Sequence, residues 1–475
     1  MSPRASSNLD YEGIRTFRRV EVTESRQIIQ RSINGTIYSK DQPWYIIIDN
    51  KVYDIKDFVP NHPGGAPILT HIGKDATDVF YSFHPESVHD LLANYYVGDI
   101  TPEDIILPKG MHIRELKVRF TKLGYFKSSK IYYIYKCSFN IILWSISVMI
   151  LAAFGNTLLG VLSGAAVMAL FWQQCGWLSH DFLHHQVFEK RCYNNWLGSF
   201  FGALCQGFGP CWWKNKHNTH HAAPNVHGQD PDIDTHPLLS WSEHALTDLF
   251  DPELAREHAK AYPKWFARLM VNNQTINYFP LLAFARLSWC AQSIQYILPN
   301  GQTGSIGDAH MPVSLLEQIS QAMCGLLLAL SFSLNHNGMK VLTEEETMNT
   351  DFYVEQVITG RDVTAHSLMG CWFVEWFMGG LNYQIEHHIF PTMPRHSYHK
   401  ISPIIQSLCA EYNIPYHKTT FMEDAKNKKI YTPEQKATKN DARRLTFMTP
   451  DKRLISKFKC VINKAPALRN DTSFY

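Results

Sequence analysis

Histidine is the residue whose placement in this chain could do chemistry. Of its 23 histidines, eight fall in three tight groups: His180-Asp181-Phe182-Leu183-His184-His185, His217-Asn218-Thr219-His220-His221 and Gln384-Ile385-Glu386-His387-His388. On a helix, positions i and i+4 share a face. His180 and His184 can therefore grip one ion while His185 leans toward a neighbour, and His217, His220 and His221 converge in the same way. Imidazole suits iron, zinc, copper and nickel alike, so spacing alone does not name the metal. Eight clustered imidazoles exceed the three or four ligands of one zinc ion and favour two ions. Asp181 and Glu386 are placed either to orient histidines from behind or to stand as exposed helix charges.

A second constellation precedes the first. His62-Pro63-Gly64-Gly65 is followed, twenty-two residues after His62, by Phe83-His84-Pro85. Haem iron held by two neutral imidazoles needs one from each wall of a cleft, with tightly turned backbone beside it. His62 has its turn in Pro63-Gly64-Gly65; His84 is placed by spacing, with His71 or His89 as the alternative. Taking hydrogen from an unactivated methylene requires an oxidant stronger than any side chain, and dioxygen activated on iron supplies one. A haem on the same chain would feed such iron with electrons, so the two constellations make sense together.

The elements that must position these residues follow from pattern. Residues 16–100 read as a small soluble α+β domain in which Trp44-Tyr45-Ile46-Ile47-Ile48 and Lys51-Val52-Tyr53-Asp54 are strands joined at Asp49-Asn50. Residues 101–136, basic with interleaved Tyr and Phe, read as a linker ending in an interfacial segment. Two uncharged apolar runs, 137–154 and 157–177, each approach the roughly 20 residues of a bilayer span. Together they form a hairpin that returns the chain to the cytosol where the first histidine group begins. A third span is expected over 319–334, and 276–298, which carries Arg286, Gln292 and Gln295, is either a span or an interfacial helix. The three groups must meet on one membrane face, so the chain crosses an even number of times between His221 and His387. Residues 420–475 read as a basic, disordered tail. A net charge of +2 implies no nucleic-acid partner, and ten cysteines without C-x-x-C pairs suit reduced, packed thiols. The first ten residues hold no apolar run, so no secretory signal is expected.

The stretch from Val52 through His62-Pro63-Gly64-Gly65, with Gly73-Lys74-Asp75-Ala76-Thr77-Asp78 and His84, resembles the cytochrome b5 family. The resemblance implies haem b held by His62 and His84. Trp172-Gln173-Gln174-Cys175-Gly176-Trp177, Trp212-Trp213-Lys214-Asn215-Lys216 and Gly379-Gly380-Leu381-Asn382-Tyr383, each leading into a histidine group, resemble front-end fatty-acid desaturases. Pro224-Asn225-Val226-His227-Gly228 and Asp230-Pro231-Asp232-Ile233-Asp234-Thr235-His236 are similar to the fungal delta-6 enzymes, and Gln384, where other desaturases have His, marks the cytochrome-b5-fused group.

The fold so implied is an N-terminal α+β cytochrome b5-like haem domain followed by an all-α polytopic membrane desaturase domain (137–419) with a cytosolic histidine-rich cap. Two non-haem irons would be held by His180, His184, His185, His217, His220, His221, His387 and His388. His336, in Asn335-His336-Asn337-Gly338-Met339, is either a further ligand or a packed helix-end histidine; Gln384 would orient a ligand or a water. His227, His236 and His396 are expected to be structural. The implied activity is O2-dependent insertion of a double bond at carbon 6 of linoleoyl or linolenoyl chains, carried as fatty-acyl lipid or acyl-CoA. Electrons would come from NADH through a cytochrome b5 reductase at the endoplasmic reticulum membrane. Delta-5 and sphingolipid delta-8 enzymes share the architecture. One departure stands out: near Met323-Cys324 about one helix–loop–helix of the family pattern is missing. Either 276–298 is recruited in its place, or the chain is a silent haem- and metal-binding membrane protein with an incomplete hairpin.

Overall fold

The computed structural model describes residues 15–34, 42–105, 111–235, 237–245, 263–300 and 315–421. The tail expected over 420–475 lies outside them from residue 422 on, as does His236.

Strands Tyr45–Ile48 and Lys51–Asp54 pair antiparallel across Asp49-Asn50, both in the left-handed region with φ 50° and 59°. That is the backbone a two-residue hairpin turn asks for, and Asp and Asn tolerate it best after glycine. Tyr96–Ile100 adds to Lys51–Asp54, and Thr16–Phe17 runs parallel to it at the far edge, completing a four-stranded sheet. Period-two alternation splits the side chains between two faces. Ile46, Ile48 and Tyr53 pack with Ile55, Ile72 and Phe80 on one face. Ile47 and Val52 pack with Phe17, Val22 and Ile100 on the other.

The basic stretch expected to be a linker is part of the core. Helix Met111–Lys122 carries Ile113, Leu116 and Phe120 on one face. These pack with Ile385, Ile389, Phe390, Met393, Tyr398 and Ile401 around the third histidine group. The Arg and Lys residues that suggest a solvated connector occupy the opposite face, as in any amphipathic helix.

Helices Lys130–Phe154 and Leu158–Leu183 are long and apolar enough to cross a membrane. Ser129 and Thr157 cap them, each side chain accepting a backbone N–H of the first turn. They pack closely where Gly164 faces Leu151 and where Ser147 Oγ donates to Gly164 O at 2.8 Å, small residues at the crossing allowing the approach. Outward lie Ile134, Ile141, Trp144, Met149, Leu158 and Leu159, all exposed, as a lipid-facing surface would be. Helix Leu315–Asn335 lies against this pair, with Trp172 Nε1 donating to Ser320 Oγ (3.2 Å). Met323 and Cys324 fall inside it without interruption. The stretch expected as a span or an interfacial helix, 276–298, forms two helices, Gln274–Ala283 (containing Pro280) and Ala285–Asn300. Both pack on Leu315–Asn335, where Asn337 Nδ2 donates to Tyr278 Oη (2.8 Å) and Arg286 Nε to Gln321 Oε1 (3.2 Å). The segment before Gly379 forms helix Leu368–Phe377, whose Leu368 and Met369 are 92% and 82% exposed.

Candidate functional site

The first histidine group ends one helix and the second fills the end of another. Leu158–Leu183 delivers His180, and its cap His184 follows on the same face. Pro210–Ala222 begins with proline at its first position, where no N–H is needed, and presents His217, His220 and His221. The short helix Gln384–Ile389 adds His387 and His388. Gly379, at φ 61°, lets the chain before it press against Trp177, where a Cβ would collide with the indole.

These elements bring the imidazoles into two adjoining sets. One nitrogen from each of His180, His184, His217, His221 and His387 lies within 4.8 Å of all the others, and His220, His336 and His388 form a second such set. Within the first set, Nε2 of His180 is 3.1 Å from Nε2 of His387, and the His217 and His221 Nε2 atoms are 3.1 Å apart. In the second, His336 Nε2 is 3.3 Å from His220 Nε2 and 3.1 Å from His388 Nε2. Two nitrogens bound at right angles to one ion, at about 2.1 Å each, are about 3 Å apart, so these spacings are those of a metal's ligands. His184 Nε2 is buried with no hydrogen-bond partner, as a nitrogen reserved for a metal would be.

In four of the eight rings the outward nitrogen is tied down. His220 Nδ1 donates to Asp230 Oδ2 (2.8 Å), His387 Nδ1 to Tyr398 Oη (3.0 Å), His388 Nδ1 to Gln356 Oε1 (2.9 Å) and His336 Nδ1 to Thr359 O (3.0 Å). Each bond orients its ring so that Nε2 faces inward. Burial, reinforced by neighbouring rings, pushes His217, His221, His387 and His388 well below the usual imidazole range, so they stay neutral and able to ligate. At His220 burial acts the same way, but the carboxylates of Asp230 and Asp232 outweigh it and hold the ring at about 9.

One sequence expectation meets a different geometry, and one open choice is narrowed. His185 joins neither set. The helix has ended, His185 takes φ 58°, and its ring leaves the face that His180 and His184 share. His336, left open between two roles, is in the second set. Asp181 does stand behind His180, its Oδ1 3.4 Å from Nδ1, while its Oδ2 pairs with Arg395 Nε at 2.8 Å. Glu386 touches no histidine; it accepts from Tyr416 Oη (2.9 Å) beside Asp362. Gln384 Nε2 lies 2.7 Å from His336 Nε2, and its Oε1 accepts from Asn335 (2.9 Å). Sequence reading missed the partners Asp230, Gln356, Tyr398 and Thr359, of which only Asp230, inside the quoted Asp230-Pro231-Asp232 run, left a signal. His227 pairs with His244 and His396 accepts from Ser129 N, both away from the two sets.

In the small domain, His62 and His84 face each other with ring centres 6.1 Å apart. His62 Nδ1 donates to Gly65 O (2.8 Å) and His84 Nδ1 to Phe80 O (3.0 Å), leaving both Nε2 atoms free. One metal between the rings, bonded at about 2 Å to each, fits that separation. Burial keeps both rings neutral, lowering His84 to about 4. His71 lies instead against Phe352, and His89 against Phe80 and Tyr81.

Residues 34–101 match the cytochrome b5-like heme/steroid binding domain, and residues 83–420 match the fatty acid desaturase family. An acyl-lipid (9-3)-desaturase of Physcomitrium patens is 38% identical over 80% of this chain and 73% of its own length. A Delta(8)-fatty-acid desaturase of Euglena gracilis is 31% identical over 77% of this chain and 89% of its own. A Delta(6)-fatty-acid desaturase of Caenorhabditis elegans is 29% identical over 82% and 94%. A cytochrome b5 domain carries haem; desaturases are membrane-associated and use a pair of irons with dioxygen as co-substrate, which is what the two nitrogen-lined sets suit. The chain belongs to the fatty acid desaturase family, with a cytochrome b5 domain fused ahead of its desaturase domain.

Proposed function

We propose that this chain is a front-end acyl desaturase that inserts a cis double bond at carbon 6 of linoleoyl or α-linolenoyl chains. The observation that carries the desaturase chemistry is the pair of adjoining imidazole sets with Nε2 atoms gathered inward, on the same chain as a facing histidine pair. His62 and His84 hold the haem. His180, His184, His217, His221 and His387 hold one iron, and His220, His336 and His388 the other. Bound there, the iron pair supplies the activation of dioxygen that an unactivated methylene requires. The chain's own part is positional. Asp230, Tyr398, Gln356 and the Thr359 carbonyl fix the imidazoles, and Gln384, its amide nitrogen 2.7 Å from His336 Nε2, borders the second set. In sum the acyl chain gives up two hydrogens, and dioxygen with two electrons and two protons leaves as water. NADH supplies those electrons through a cytochrome b5 reductase. The enzyme sits in the endoplasmic reticulum membrane with haem domain and iron site on the cytosolic face.

Gln384 supports the front-end assignment, and the Delta(6) relative supports carbon 6. Relatives named for Delta(8) and Delta(5) support the rival positions equally in kind. An unbroken Leu315–Asn335 and an assembled histidine site favour an active enzyme over a silent one. Expression in yeast fed linoleate, with chromatography of the fatty acids, decides. A new triene unsaturated at carbon 6 is the expected product. A bond at carbon 5, or one at carbon 8 of a longer acyl chain or sphingoid base whose carbon 9 is saturated, supplied in parallel, moves the assignment, and haem absorption with no new product on any of them removes it.

A further inference from the structure

Between the haem pair and the histidine sets lies a packed seam. Ala66 N donates to Asn215 Oδ1 at 2.7 Å, and Gly65 comes so close to Asn215 that a Cβ there would overlap its amide. Asn215 sits on the same helix as His217, His220 and His221. Lys74 Nζ donates to Thr347 Oγ1 (2.6 Å), Ser82 Oγ to Tyr353 Oη (3.3 Å), and His71 meets Phe352 edge-on. One contact on this seam joins the two redox constellations themselves. Phe83 is bonded in sequence to His84, and its ring meets that of His221 edge to face, with centroids 6.3 Å apart and planes at 80°. That is the distance and geometry of an aromatic pair in contact. Phe83 also packs against the core beneath the third histidine group, which holds its ring in place.

We propose that Phe83 is the bridge by which electrons pass from the haem at His84 to the iron site at His221, an inference that rests on the ligand roles proposed above. Two single-electron passes serve each double bond. In each pass the donor centre is oxidised by one electron and the acceptor reduced by one, and no bond to Phe83 forms or breaks. The alternative seam route runs through the hydrogen bond from Ala66 N to the Asn215 side chain and then along the helix to His217, two residues on, without ring contact.

The test uses the full chain, purified in nanodiscs with haem and iron content measured. The haem is reduced by NADH and cytochrome b5 reductase, and its reoxidation on mixing with oxygen and linoleoyl substrate is followed by absorbance. Phe83→Leu is expected to keep the haem spectrum, the iron content and the rate of haem reduction. Its reoxidation is expected to slow on the order of tenfold or more, because small gaps between reacting partners cost rate steeply. Phe83→Tyr, which restores the ring, is expected to reoxidise within about twofold of wild type, as a near-isosteric change does. Asn215→Ala is expected to affect reoxidation less than Phe83→Leu. Reoxidation of Phe83→Leu at the wild-type rate overturns the bridge, as does Asn215→Ala slowing it more. If Phe83→Leu fails to load haem, Phe83→Met serves in its place under the same criteria. A wild type that reoxidises its haem but forms its double bond elsewhere corrects the regiochemistry and leaves the bridge standing. A wild type whose haem is not reoxidised overturns both.

Discussion

The two histidine constellations are built in opposite ways. The facing imidazoles of His62 and His84 take their orientation from backbone carbonyls of their own segments, Gly65 for His62 and Phe80 for His84. The eight gathered imidazoles span residues 180–388, and several lean on side chains from other elements: Asp230, Tyr398 and Gln356. The small domain therefore carries its site locally. The large site exists only when helix ends far apart in sequence pack together. Damage should stay local in the first and spread in the second.

The largest break in that comparison comes from removing proposed ligands. His387→Ala is expected to lower desaturation by at least about 100-fold, beyond the 10- to 100-fold typical of outer partners. It should cut iron content while leaving the haem absorbance intact. His62→Ala should do the reverse, losing haem while iron stays bound. Metal analysis beside an absorbance spectrum reads both, and loss of both cofactors in either variant would show the sites to be interdependent.

Next in size is a contrast inside the first group. His184→Ala should match His387→Ala. His185→Ala should retain activity within about threefold, the scale of a substitution that touches none of a site's partners. Equal loss in the two variants would return His185 to the metal site.

Smaller again is the effect of an outer partner. Tyr398→Phe removes the oxygen that accepts from His387 Nδ1 but keeps the ring in a core where Tyr398 is 1% exposed. A 10- to 100-fold fall in iron affinity or turnover is expected at roughly wild-type folding stability. Titration with ferrous iron separates this from unfolding: a lowered thermal midpoint with unchanged affinity would make the tyrosine a packing residue.

What the sequence made legible follows the same division. The facing of His62 and His84, the Asp49-Asn50 turn and its two strands could be read because their causes lie within a few residues. The three histidine groups were visible as groups, yet their membership was not. His185 sits at the right spacing for a continuing helix, and only the end of that helix at Leu183 takes its ring away. His336 stands alone in sequence and reaches the site because Leu315–Asn335 ends there. Gln356 and Tyr398 carry no local mark at all; 32 and 11 residues separate them from the histidines they hold. Helix Met111–Lys122 was misread because its charges are denser than its three-residue apolar stripe, although Ile113, Leu116 and Phe120 had helical spacing.

The smallest effect probes the seam where the local and the long-range site meet. Asp78, on the helix that leads to Phe83 and His84, is raised to about 7, chiefly by burial and then by Asp351, with Arg114 at 3.2 Å offsetting only part. A carboxyl whose folded pKa exceeds its unfolded value of 3.8 holds its proton more tightly when folded. Its contribution to stability is thus complete below about pH 4, declines as pH rises, and is gone above about pH 7. Asp78→Asn keeps the shape and removes the titration. The midpoint of thermal haem release should therefore fall by a few degrees less between pH 5 and pH 8 in Asp78→Asn than in wild type. Parallel pH profiles would mean that Arg114 keeps Asp78 ionised throughout. The seam would then be held by an ion pair, and the haem domain would be joined to the iron site by charge as well as by packing.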